Sequence, residues 1–272
     1  RGAQLAERLI QQDGVEYMLG PYSSGMTKAI APVSEKFGVP MVEAEGASRS
    51  LFTQGYKYLF AVLSTTDLYL PMAIEMAAAS TDDPSKLRAA VAFEGDPFTA
   101  DIRIGVLEKL AEYNIKVVID DQLPADLSDM STTLTKVKAL KPDLLIISGH
   151  SKGAATAARQ LDEMKINVPI VALTHCEAAK VQEKFPKTAT GLMCPTQWVE
   201  NISKSDKYFG SASDWNAGFK REYGEHYPTT VPYQAAQASA AVIVFKEAFE
   251  AANSFDKDKV RDAIAGVKME TF

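Results

Sequence analysis

The sequence predicts an α/β protein of two lobes, each a parallel sheet covered by helices, and three observations carry that expectation. Helix-like periodicity alternates with short apolar or β-branched runs along nearly the whole chain. The alternation loosens at 199–215, where Ser, Asn, Lys and Asp cluster. The length of 272 residues exceeds one ordinary domain and suits two.

Element by element, residues 2–12 predict a helix and Glu16–Leu19 a strand. The glycine turn GPYSSG at 20–25 opens a helix over 26–37, and Pro40–Glu43 is the next strand. Leu59–Leu63 is a further strand, and Asp67 caps a helix running to 79. Ala89–Phe93 is a buried strand, Phe98–Glu112 a helix, Lys116–Asp121 a strand and Met130–Ala139 a helix. The apolar strand Asp143–Ser148 follows, then Gly153–Met164 (helix), Ile170–Leu173 (strand), Glu177–Lys184 (helix) and Gly191–Thr196 (strand). Two long helices, 211–223 and 232–252, precede a last one beginning near Asp256.

Two segments mark a lobe boundary. AVLSTTDL at 61–68 joins a strand directly to a capped helix, and PTQWVENISKSDK at 195–207 is a long polar connection after a strand. A chain that crosses at both builds lobe 1 from residues 1–63 plus 198–272 and lobe 2 from 64–197. The space between such lobes is a default place for a ligand.

Composition limits the function classes. The chain is 46% hydrophobic, 24% charged and 9% aromatic, the profile of a globular protein with a core. Its formal charge of −6 comes from acids and bases mixed along the chain, without a basic run to neutralise phosphates. Nucleic acid and anionic membrane are therefore not expected partners. No apolar stretch reaches the roughly 20 residues of a membrane helix, so no direct membrane insertion is expected. Arg1–Gln4 opens into a helical pattern with no signal-like segment. The two cysteines, Cys176 and Cys194, fit no paired CxxC zinc pattern; a disulfide is open to them but unforced.

Several segments together resemble the type I periplasmic binding proteins of ABC transporters, in the leucine/isoleucine/valine-binding-protein-like branch. They are GPYSSGMTKAIAPVSEKFGVPMV at 20–42, GASRSLF at 46–52, FEGDPF at 93–98, DLLIISGHSKGAATAARQL at 143–161, SDWNAGFKREYG at 213–224 and PYQAAQASAA at 232–241. The resemblance covers essentially the whole chain and rests on order and spacing. It implies two Rossmann-like lobes joined by a hinge, a small-molecule ligand, a membrane permease as partner, no cofactor and no catalysis. It also implies a periplasmic location, or an extracellular, membrane-tethered one in a Gram-positive host. The family's mature chains begin with a strand, helix and strand before the position of Arg1 and continue past KMETF, so the chain is expected to be a fragment lacking both. The missing signal segment then says nothing about export, and export implies that Cys176 pairs with Cys194.

Ligands of open α/β sheets bind beyond the carboxyl ends of the strands, which selects three sets of residues. Tyr22, Ser23, Ser24 and Gly25 lie at a helix start, where amides and hydroxyls suit a carboxylate. Ser24 is equally readable as an ordinary N-cap, and the resemblance implies ligand contact, because relatives use the corresponding serine on the ligand carboxylate. Glu45, Gly46, Ala47 and Ser48 follow the next strand, where relatives complete the carboxylate cradle. Glu45 either faces the ligand, in which case it must be paired or protonated, or is a solvated loop acid.

From lobe 2 come Phe98, His150, Ser151 and His175. Amino-acid-binding relatives hold the ligand ammonium with an acid near the position of His175, and Glu177 lies two residues beyond it. Imidazole suits a hydroxyl, carbonyl or carboxylate better than an ammonium. Trp198 and Tyr233, with Tyr22 and Phe98, are available to stack a flat ligand, or they pack the hinge. The expected ligand is a carboxylate on a flat or apolar body: an aromatic acid first, a branched-chain amino acid second.

Other chemistry lacks its motifs. No GxSxG elbow accompanies the serines, and neither a P-loop nor GxGxxG is present. His150 and His175 are one strand–helix–strand step apart, but no third ligand is evident, so no metal is expected. Cys176 beside His175 admits a thiol reading, and a ligand-sensing receptor or regulatory domain is the other use of such a fold.

Overall fold

The computed structural model describes residues 1–227 and 231–272. Helix α1 (Gly2–Gln11), strand β1 (Met18–Leu19), helix α2 (Ser24–Phe37) and strands β2 (Met41–Glu43) and β3 (Leu59–Ala61) come first. Helix α3 (Pro71–Ala79), strand β4 (Arg88–Glu94), helix α4 (Pro97–Glu112), strand β5 (Lys116–Leu123) and helix α5 (Ser131–Leu140) follow. Next are β6 (Leu144–Ser148), α6 (Ser151–Glu163), β7 (Ile170–Leu173), α7 (Ala179–Lys184), α8 (Pro186–Ala189) and β8 (Leu192–Met193). The chain ends with β9 (Ser205–Asp206), β10 (Gly210–Ser211), α9 (Ala212–Tyr223), α10 (Tyr233–Ala252) and α11 (Lys257–Gly266).

These elements form two compact units. One comprises Arg1–Ser64 with Gln197–Phe272, the other Thr65–Thr196. In the first, β1, β2 and β3 lie side by side and parallel, with Met41 opposite both Met18 and Leu59. Val42 and Ala44 pack on Ala241, Val244 and Phe245 of α10 and on Val260 and Ile264 of α11. A separate aromatic cluster joins Trp198, Trp215, Tyr233 and Phe272.

The second unit is a five-stranded parallel sheet in the order β5-β4-β6-β7-β8. Strand β6 is buried along its whole length and feeds both faces, as a strand covered by helices on both sides must. Leu145 and Ile147 enter the cluster with α5 and α6, while Leu144 and Ile146 enter the one with α3 and α4. The order runs outward from β4 in both directions, so the carboxyl ends of β4 and β6 flank the topological switch point.

The helix expected to start at Asp67 begins instead at Pro71, after a 3-10 turn over Thr66–Leu68. Proline at its first position supplies the fixed φ and needs no N–H partner there. The short hairpin β9–β10 was not expected from the polar run at 199–215.

Candidate functional site

In the first unit, β1 leads through Gly20–Tyr22 to Ser23, which caps α2 by accepting the Met26 amide at 3.3 Å. The cap is therefore Ser23, not Ser24. Ser23 stands at φ +86°, a left-handed conformation uncommon outside glycine. Ser24, fully buried, accepts the Ser48 amide at 3.0 Å and so ties the loop after β1 to the loop after β2. Ser48 and Ala47 are buried as well, and Tyr22 is exposed.

A residue not singled out in the sequence organises this loop. Glu43, at the end of β2, is fully buried and accepts the Thr27 hydroxyl at 3.1 Å and the Gly46 and Glu45 amides at 2.7 and 3.1 Å. A Cβ on Gly46 would lie 2.1 Å from Thr27 Oγ1, so the loop closes this tightly only with glycine there. Burial raises the Glu43 carboxyl, with those three hydrogen bonds pulling the other way. Burial and then the Glu43 charge push Glu45 up to about 8, so Glu45 is neutral at pH 7. Its Oε1 has no hydrogen-bond partner among the described residues.

In the second unit three rings are layered at the ends of β4, β6 and β7. Phe98 stacks on His150 at 5.1 Å and on His175 at 5.8 Å, and the two imidazoles lie 6.1 Å apart at 21°. Tyr69 meets Phe98 edge-on at 5.8 Å. Asp96 ties into the layer through His150: its Oδ1 caps α4 by accepting the Phe98 and Thr99 amides, and its Oδ2 lies 3.0 Å from His150 Nε2. The His150 bond and charge hold Asp96 below its ordinary value although burial opposes them, and the same bond holds His150 above its own. Glu94 is buried, accepts the His150 amide at 3.3 Å, and is pushed by burial up to about 7.

His175 is 5% exposed, takes φ +59°, and leaves Nε2 without a hydrogen-bond partner among the described residues. Its Nδ1 lies 3.8 Å from Glu177 Oε1. The adjoining Cys176 is joined to Cys194 by a disulfide across the ends of β7 and β8. Bridged in this way, Cys176 has no thiol with which to act as a nucleophile. Ser151 is exposed at the first turn of α6.

Two aromatic candidates lie in a core. Trp198 meets Trp215 edge-on at 5.1 Å, and both Trp198 and Tyr233 are buried in the same cluster. Trp198 also lines a cavity of about 600 Å³ in the first unit, with Gln197, Gln237 and Met269, but Tyr233 does not. Tyr233 is buried in the core of the first unit.

A family model described as periplasmic binding protein matches residues 1–272. The chain belongs to the periplasmic binding protein family. Its type I, leucine/isoleucine/valine-binding-protein-like character follows from its relatives. The chain is 22% identical over 163 residues to the Leu/Ile/Val-binding protein homolog 8 of Brucella abortus, a match covering 58% of this chain and 40% of that protein. The stretch matched is thus well under half of the curated relative.

Among solved structures of periplasmic binding proteins, the leucine-binding protein LivK of Thermotoga maritima superposes with a TM-score of 0.79 at 22% identity, covering 97% of this chain and 72% of that one. A solute-binding protein of an ABC transporter from R. palustris, in complex with benzoate, superposes at 0.80 with 14% identity, covering 98% and 71%. At these identities the likeness is one of fold. Both neighbours are described as binding proteins, one for leucine and one a solute-binding protein of an ABC transporter, and no helix of the described residues is long and apolar enough to cross a membrane.

Proposed function

We propose that the chain is the extracytoplasmic capture component of an ABC importer, taking up a small aromatic carboxylic acid unchanged and delivering it to a membrane permease. The observation that carries the reading is the Phe98–His150–His175 ring layer, ending in a buried imidazole whose Nε2 has no hydrogen-bond partner among the described residues.

Flat rings at this spacing favour a flat guest by stacking, and a free imidazole nitrogen bonds a hydroxyl or carboxyl oxygen. On the first unit, Ser23 at the start of α2 and the neutral Glu45 supply donors to a carboxylate. An ionised Glu45 would repel it. Two residues of these loops, Ser23 and His175, hold positive φ, a strain that clusters at ligand-binding positions. The benzoate complex of the R. palustris neighbour supports the same ligand class. The disulfide supports an oxidising compartment, outside the cytoplasm.

A second reading, a branched-chain amino acid as ligand, is favoured by Glu177, whose Oε2 has no hydrogen-bond partner among the described residues and which stands beside His175 where an ammonium could be held. A thermal-shift screen of benzoate, hydroxybenzoates, leucine and isoleucine separates the two. Aromatic acids are expected to raise Tm and the amino acids to leave it unchanged. A shift with leucine alone, lost in Glu177→Gln, replaces the first reading by the second.

A further inference from the structure

We propose that Glu94, Asp96 and His150 form a binding site for one divalent first-row transition ion, with zinc the reference case. The three residues come from different elements: Glu94 ends β4, Asp96 caps α4 and His150 caps α6. The parallel pairing of β4 with β6, which sets Phe93 opposite Ser148, brings them together. One ligating atom from each lies within 4.8 Å of the other two. Bonds of about 2.0–2.2 Å to nitrogen and carboxylate oxygen require such atoms to lie within about 4.4 Å, a closure that small side-chain rotations supply.

Two features beyond the clustering point to a cation. Glu94 is 1% exposed, and its Oε2 has no hydrogen-bond partner among the described residues. A buried carboxylate oxygen left in that state is costly unless a proton or a cation satisfies it. In addition, no lysine or arginine among the described residues pairs with Glu94 or Asp96; their one basic neighbour is His150. Two acids against one imidazole leave negative charge that a divalent ion neutralises.

The surroundings hold the donors in place. Phe98 stacks on the His150 ring and fixes its plane. A Cβ at Gly153 would stand 2.4 Å from Glu94 Oε1, so the carboxylate occupies space that only glycine leaves. The donor set decides the class of ion: imidazole with two carboxylates suits zinc, cobalt or nickel, whereas calcium and magnesium take oxygen cages. Three protein ligands leave at least one position open, which an anionic guest or water would fill. The site lies wholly within one unit and does not depend on the ligand proposed above.

The test is calorimetric titration of the chelator-treated protein with ZnCl2, in parallel with CoCl2 followed by visible absorption. One zinc per chain is expected, with cobalt bands of a nitrogen- and oxygen-ligated ion and no heat from calcium or magnesium. Glu94→Gln and Asp96→Asn, which keep side-chain shape, should each weaken zinc by more than about tenfold, as should His150→Gln. His226→Gln should not. Circular dichroism identifies any variant that has lost its fold, leaving the others to decide. Absence of zinc binding, or binding untouched by the three substitutions, overturns the proposal. So does a melting shift from an amine ligand in metal-free protein that those substitutions abolish, because the cluster is then an ammonium site.

Discussion

The Thr174 hydroxyl donates to the Gly149 carbonyl at 2.7 Å and lies 2.8 Å from the Gly149 amide, locking the end of β6 to the end of β7. This exchange sets His150 and His175, each the next residue along, into one ring layer. Both Gly149 groups are buried, so Thr174→Val leaves them unpaired at about 1–3 kcal/mol. We expect that loss in denaturant unfolding, together with weakened ligand binding that Thr174→Ser restores. An unfolding midpoint unchanged in Thr174→Val would show that the bonds do not bear on the layer.

Ser24 plays the corresponding part in the other unit, holding the Ser48 amide. Ser24→Ala should destabilise by about 1–3 kcal/mol, since the buried amide loses its acceptor. Gly46→Ala should also destabilise, by a similar amount, because its Cβ meets Thr27 and Glu43. Chemical denaturation monitored by tryptophan fluorescence reads both, Trp198 and Trp215 lying in that unit.

Glu45 makes stability depend on pH in a definite direction. Its folded value, about 8, lies above the ordinary 4.5, so between those values the folded state holds a proton the unfolded chain has released. Stability therefore falls as pH rises through this window, by at most about 1.4 kcal/mol per pH unit for a full proton. Partial exposure of Glu45 reduces the slope. Glu45→Gln should flatten the curve, and a Tm that rises from pH 5 to 8 in the native chain but not in the variant would reverse the assignment.

The Cys176–Cys194 bridge closes a segment with a sequence separation of 18. Chain-entropy reasoning gives a loop of that size about 3 kcal/mol. Reduction should lower the unfolding free energy of the Thr65–Thr196 unit by that order and leave the tryptophan signal of the other unit in place. Equal loss from both signals would show that the units unfold together.

Much of the fold was legible because its signals are local. DLLIIS at 143–148 is apolar without interruption, as a strand covered on both faces must be, and Asp96-Pro97 announces the start of α4. The candidate site was legible only in part. His175 and Phe98 were found as strand-end residues, but Ser23 rather than Ser24 caps α2 because a φ of +86° turns the chain one residue earlier. Glu43 and Glu94 escaped notice because a strand-end acid reads as solvated until the tertiary fold buries it. The pairing of β4 with β6, between residues more than fifty positions apart, has no local signature, so the company of Glu94, Asp96 and His150 was not foreseen. Two acids closing a strand in FEGDPF were the available hint.

Calorimetric titration with benzoate and 4-hydroxybenzoate, set against leucine, addresses the capture of an aromatic acid most directly. The account predicts one saturable site for the aromatic acid, its recovery chemically unchanged, and weakening by His175→Ala. Saturable binding of leucine with no response to any aromatic acid, or conversion of the acid to a product, would contradict it.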